Sequence, residues 1–162
     1  MILEIKELYV KIGEVKTGHD PTILKATLGS CVGIAFLWKR KGLYGLAHCL
    51  LPESPLATNS IGAKYVSQAV PSLVAMMRIR PEDISEIEVV IAGGGNMMTQ
   101  LSRVNSDHIG SQNTKAALKY LAAHGLKIKK MDVGGEEGTQ IVVDCSTGTV
   151  SVFKLPKFEV SV

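Results

Sequence analysis

One thiol and one imidazole in this chain are placed to act together. Cys31 lies in Thr27-Leu28-Gly29-Ser30-Cys31-Val32-Gly33, and His48 follows on the next expected strand in Gly45-Leu46-Ala47-His48-Cys49. A free cysteine, with a pKa of about 8.5, is only a few per cent thiolate at neutral pH. A neighbouring histidine can take its proton, hold the thiolate as an ion pair, and later protonate a poor leaving group such as ammonia. Gly29 and Ser30 let the backbone pass close to a substrate. The N–H groups around Ser30 and Cys31 can face a developing oxyanion. A third group that accepts the other imidazole N–H would orient the base. Thr27 is the nearest candidate, with Asp20 or Asn96 as substitutes.

Whether the two groups meet depends on the strands that carry them. The run Cys31 to Trp38 is apolar, short and bounded by turn signals, as a buried strand should be. Lys39-Arg40-Lys41-Gly42 is a polar turn with a glycine suited to positive φ, and Leu43 to Leu50 returns as a partner strand that Pro52 stops. Residues 31–50 therefore read as a β-hairpin. A two-residue turn at Arg40-Lys41 sets Cys31 opposite Leu50 and His48 opposite Gly33. Cys31 and His48 then share a face as diagonal neighbours, roughly 7–8 Å apart at the backbone. A three-residue turn would flip one of them to the other face, whereas a four-residue loop keeps the parity.

The remaining elements support that hairpin. Residues 1–17 read as strand, Gly18-His19-Asp20-Pro21 breaks the pattern, and Ile23 to Thr27 is a second short strand. Ala63, Val66, Val70, Leu73 and Met77 fall at helical spacing, predicting a helix over about 62–77 in which Pro71 removes one hydrogen bond. Glu86 to Ala92 is a strand, followed by Gly93-Gly94-Gly95-Asn96 as a tight backbone passage beside the site. Ser111 or Asn113 would cap a helix ending at His124, with Gly125 just beyond it. Strands over 126–133, 139–144 and 149–155 follow, and Gly134-Gly135-Glu136-Glu137-Gly138 reads as a hairpin loop. The expectation is one α+β domain over residues 1–162: a strand-dominated α/β sandwich with two to three helices packed on the sheet.

Composition narrows the function. With 162 residues, 46% hydrophobic and 20% charged, the chain suits one globular core. A net charge of +3 with no long Lys/Arg block argues against nucleic-acid binding. The N-terminus reads as no signal peptide, and no stretch approaches the roughly 20 apolar residues of a membrane helix. Three cysteines without metal-type spacing fit a reduced, cytoplasmic protein with no metal site and no membrane insertion. Free cysteine is usually a small buried hydrophobe, and Cys49 and Cys145 read that way. His19, His108 and His124 lack paired spacing. The Gly93-Gly94-Gly95 run lacks the Lys-Ser/Thr of a phosphate loop.

Taken together, Leu28-Gly29-Ser30-Cys31-Val32, Ala47-His48 with Leu51-Pro52, Gly93-Gly94-Gly95-Asn96-Met97, Ile109-Gly110 with Asn113, and Asp132-Val133-Gly134-Gly135 with Thr147-Gly148 resemble the CheD family in order and spacing over residues 7–153. The resemblance implies a cofactor-free chemoreceptor glutamine deamidase of bacterial chemotaxis, converting glutamines on receptor cytoplasmic helices to glutamate through a thioester. By position it makes Cys31 the nucleophile and His48 the general base and acid. Thr27 would be the third catalytic residue, with Gly29, Ser30, Gly94, Asn96 and Asn113 as the oxyanion and substrate-binding surround. The implied partners are the receptor cytoplasmic domain and a CheC-type phosphatase. The family often has arginine where this chain has Gln112 and Thr139. The alternative is a module that binds and regulates a CheC-type phosphatase. A small cysteine peptidase or transglutaminase-like enzyme would use the same thiol chemistry.

Overall fold

The computed structural model describes residues 4–57, 59–97 and 108–156. Residues 98–107 lie outside them. Among the described residues, nine strands form two sheets: β1 (Lys6–Tyr9), β2 (Val15–Gly18), β3 (Thr22–Leu28), β4 (Val32–Trp38), β5 (Leu43–Cys49), β6 (Glu88–Gly93), β7 (Lys127–Val133), β8 (Thr139–Asp144) and β9 (Thr149–Lys154). One sheet has the order β1-β3-β8-β9 and the other β2-β5-β4-β6-β7. Helices α1 (Val66–Met76) and α2 (Ile109–Ala123) cover the outer face of the five-stranded sheet. The expected α+β sandwich, rich in strands, is therefore the fold.

Strand β4 explains why its sequence is apolar at every position. Val32, Ile34, Phe36 and Trp38 pack in the layer under the helices with Val70, Leu73, Ala117 and Leu121. Ala35 and Leu37 point the other way, into the layer between the sheets, with Leu24, Leu28, Leu46 and Ile141. A strand covered on both faces has no reason to alternate. Strand β3 has one covered face, and its burial alternates: Thr22, Leu24, Ala26 and Leu28 point inward, while Ile23, Lys25 and Thr27 point out.

The hairpin has the expected parity by a different turn. Trp38 pairs with Leu43 and Gly33 with His48. Between them Lys39–Lys41 form one 3-10 turn closed by Gly42 at φ 61°, so the loop has four residues rather than two.

Four expectations are corrected. Residues 1–17 are not one strand: the chain turns at Gly13 (φ 84°), and β1 and β2 join different sheets. Helix α1 begins at Val66, not near residue 62. The preceding segment is pinned outside the helix, with Ala63 donating to the Gly13 carbonyl and Gly62 to the Ser72 hydroxyl. Helix α2 begins at Ile109, so Ser111 and Asn113 lie inside it, and the His108 ring accepts the Ser111 N–H as its cap. Residues 134–138 are not a hairpin loop, because β7 and β8 lie in different sheets and the segment crosses between them.

Candidate active site

Cys31 and His48 lie at the same end of the layer between the sheets. Cys31 directly precedes β4 and is 6% exposed, and His48, one residue from the end of β5, is 4% exposed. The pairing of His48 with Gly33 makes Cys31 its diagonal neighbour on that face. Edge strand β2 and the residues before it hold the His48 backbone. Gly13 N–H donates to the His48 carbonyl, and His48 N–H donates to the Glu14 carbonyl.

The imidazole is oriented by backbone. His48 Nδ1 lies 2.9 Å from the Val10 carbonyl oxygen. A carbonyl only accepts, so Nδ1 carries the proton and Nε2 keeps its lone pair, the state a general base requires. Nε2 is buried and has no hydrogen-bond partner among the described residues. The orienting group is thus Val10, which corrects the expectation of Thr27, Asp20 or Asn96. Asp20 follows Gly18, whose partner on β5 is Tyr44, at the end of that strand away from His48. The Asn96 backbone N–H donates to the Gly135 carbonyl.

Thr27 sits on the outward row of β3 and is exposed. It nevertheless lines the same cavity as His48, a space of about 440 Å³ completed by Tyr9, Val10, Lys11 and Ile12. Tyr9 and Ile12 are more than half exposed there, giving the cavity an apolar rim. Cys31 is not among its lining residues. A larger cavity of about 510 Å³, against Trp38 and Arg78, lies at the opposite end of the same strands, away from both groups.

Three successive carbonyls around the thiol are fixed by the scaffold. Gly95 N–H donates to Gly29 O at 2.9 Å, and Gly94 N–H donates to Cys31 O at 2.8 Å. Between them, Asn113 Nδ2 donates to Ser30 O at 3.0 Å and also to Leu50 O at 3.0 Å. The glycine run permits this approach. Gly93 and Gly94 have φ of 94° and 62°, and a side chain on Gly93 would overlap the Cys31 carbonyl oxygen. Gly94 and Asn113 are therefore engaged with backbone carbonyls, and Asn96 is 9% exposed. In contrast, among the described residues the Ser30 and Cys31 N–H groups donate to no backbone carbonyl.

Burial sets the resting charge state. It pushes the Cys31 thiol up, opposed by a hydrogen bond from its own N–H. Burial also lowers the His48 pKa, opposed by the Val10 hydrogen bond and then by the Glu14 carboxylate. Both shifts favour a neutral thiol beside a neutral imidazole, not the preformed ion pair that the residue types suggested.

The other candidates have ordinary surroundings. Cys49 is buried with its pKa driven up chiefly by burial, and Cys145 is pushed up to about 11 for the same principal reason. Thr139, where the family often has arginine, is 1% exposed and pairs with Leu28. Gln112 is half-buried in the first turn of α2. Among the described residues, no three His, Cys, Asp or Glu side chains cluster as a metal site.

A family model described as CheD chemotactic sensory transduction matches residues 50–154. A Bdellovibrio bacteriovorus protein named "Probable chemoreceptor glutamine deamidase CheD" is 39% identical, over 93% of this chain and 96% of its own. That span leaves too little chain outside it to omit Cys31 or His48. The chain belongs to the CheD family. A Ruegeria CheD relative is 36% identical over 96% of each chain, and one from Methanococcus maripaludis 33% over 91% and 94%. Among solved structures, this CheD-family chain is similar to the Bacillus licheniformis hypothetical protein YfiH. The TM-score is 0.47 at 15% identity, over 74% of this chain and 49% of that one, too distant to bear on the site. Among the described residues, no helix of this CheD-family chain is long and apolar enough to cross a membrane.

Proposed function

We propose that this chain is a chemoreceptor glutamine deamidase whose nucleophile is Cys31. One observation carries the reading: the thiol and an imidazole with its Nε2 lone pair available are diagonal neighbours on one face of the hairpin, in a member of a family whose relatives have that name. His48 Nε2 takes the thiol proton as Sγ attacks the glutamine side-chain carbonyl. The Ser30 and Cys31 N–H groups receive the oxyanion. His48 returns the proton to the leaving nitrogen, the C–N bond breaks, and ammonia departs from a thioester on Cys31. Water, deprotonated by the same Nε2, adds to the thioester. Its collapse gives glutamate and restores the thiol.

Thr27 is placed by this reading at the cavity wall, where its hydroxyl meets the substrate amide. The substrate is a glutamine on the cytoplasmic helices of a chemoreceptor. The apolar rim of Tyr9 and Ile12 would lie against such a helix. Adding a receptor cytoplasmic fragment should release one ammonia for each glutamate formed. A folded, reduced protein that releases none from several receptor fragments would overturn the proposal.

A further inference from the structure

The ladder between β4 and β5 stops at Val32 and Cys49. The next residues, Cys31 and Leu50, are not joined by backbone hydrogen bonds, and Leu50 N–H donates instead to the Lys64 carbonyl. A side chain from α2 supplies the missing rung. Asn113 is fully buried, and its Nδ2 reaches Ser30 O on one side and Leu50 O on the other. A primary amide nitrogen has two N–H donors, so one atom can serve both carbonyls. An ionised aspartate could serve neither, and leucine has no donor.

The consequence falls on the reacting end of the peptide. In a trans peptide the C=O of one residue and the N–H of the next point in opposite directions within one plane. Holding the Ser30 carbonyl therefore fixes the direction of the Cys31 N–H, and that N–H lies against its own thiol. The Gly95 N–H does the same for the Ser30 N–H by holding the Gly29 carbonyl.

We propose that Asn113 is a positioning residue: by holding Ser30 O and Leu50 O together it aims the Cys31 N–H at the oxyanion that forms when Cys31 attacks a carbonyl. The substrate does not touch Asn113. The inference rests on the thiol mechanism proposed above, and its test needs no receptor.

Two reagents separate the roles at one sulfur. With p-nitrophenyl acetate, Sγ adds to the ester carbonyl, an oxyanion forms, the C–O bond breaks and p-nitrophenolate leaves. With iodoacetamide, Sγ displaces iodide and no oxyanion forms. Both products are localised to Cys31 by peptide mass spectrometry. In Asn113→Leu, acylation should fall by about 10²-fold, the scale of losing one oxyanion donor, while alkylation keeps the wild-type rate. Should that variant fail to fold, Asn113→Ser, which cannot span both carbonyls, gives the same comparison. A parallel fall in both rates would reduce Asn113 to a structural brace and overturn the proposal, as would unchanged acylation. Wild type that acylates at Cys31 yet deamidates no receptor would count against the deamidase reading alone.

Discussion

His48 Nδ1 donates to the Val10 carbonyl at 2.9 Å, so the segment following β1, from the opposite sheet, sets the tautomer of the candidate base on β5. A backbone acceptor adds no charge to the buried site. It fixes the ring without making the imidazole strongly basic, which agrees with burial being the dominant influence on its pKa.

The neutral resting pair has a pH signature. The lowered His48 pKa keeps the imidazole in its base form to more acidic pH than an ordinary histidine, so the acid limb of kcat/KM should fall below pH of about 6.5. The raised Cys31 pKa keeps the thiol protonated through neutrality, so iodoacetamide alkylation should rise with a midpoint above about 8.5. A fast alkylation plateau reaching down to pH 6 would instead show a preformed thiolate–imidazolium pair.

Thr27 and Asp20 should behave differently. Thr27→Val removes a hydroxyl at the cavity shared with His48 and should lower kcat/KM about tenfold, the scale of one hydrogen bond, with Tm unchanged because the side chain is exposed. Asp20→Asn, at the other end of the sandwich, should leave kcat/KM unaltered. Steady-state kinetics on a receptor fragment read both, and an Asp20 effect equal to that of Thr27 would contradict the assigned places.

The glycine run is a structural clamp on the thiol loop. Gly93→Ala places a methyl group against the Cys31 carbonyl and a side chain at φ 94°. The backbone strain alone costs about 1–3 kcal/mol. A lower Tm and a loss of activity larger than the loss of folded protein are expected. Calorimetry paired with activity per folded molecule checks this, and wild-type values in both would show that the loop is not held as described.

The shared face of Cys31 and His48 was legible because a hairpin has period two. Parity placed Cys31 and His48 on one face although the turn has four residues rather than two. The orienting carbonyl of Val10 was not legible, since a main-chain acceptor leaves no mark in side-chain identity. The division of residues 1–17 between two sheets, and the crossing of residues 134–138 from one sheet to the other, depend on sheet partition, which local alternation does not encode. Asn113 did leave a signal: it falls at helical spacing with Gly110, Ala116 and Ala117, a lone amide on the buried face of α2. Buried polar side chains are as a rule hydrogen-bonded, and here the Nδ2 donors find Ser30 O and Leu50 O.

The most direct test of the central claim is peptide mass spectrometry of a chemoreceptor cytoplasmic fragment after incubation with wild type, Cys31→Ala and His48→Ala. Wild type should add about 1 Da at particular glutamines, the mass change of amide hydrolysis, and neither folded variant should do so. Glutamate appearing at the same positions with Cys31→Ala would contradict the thiol mechanism.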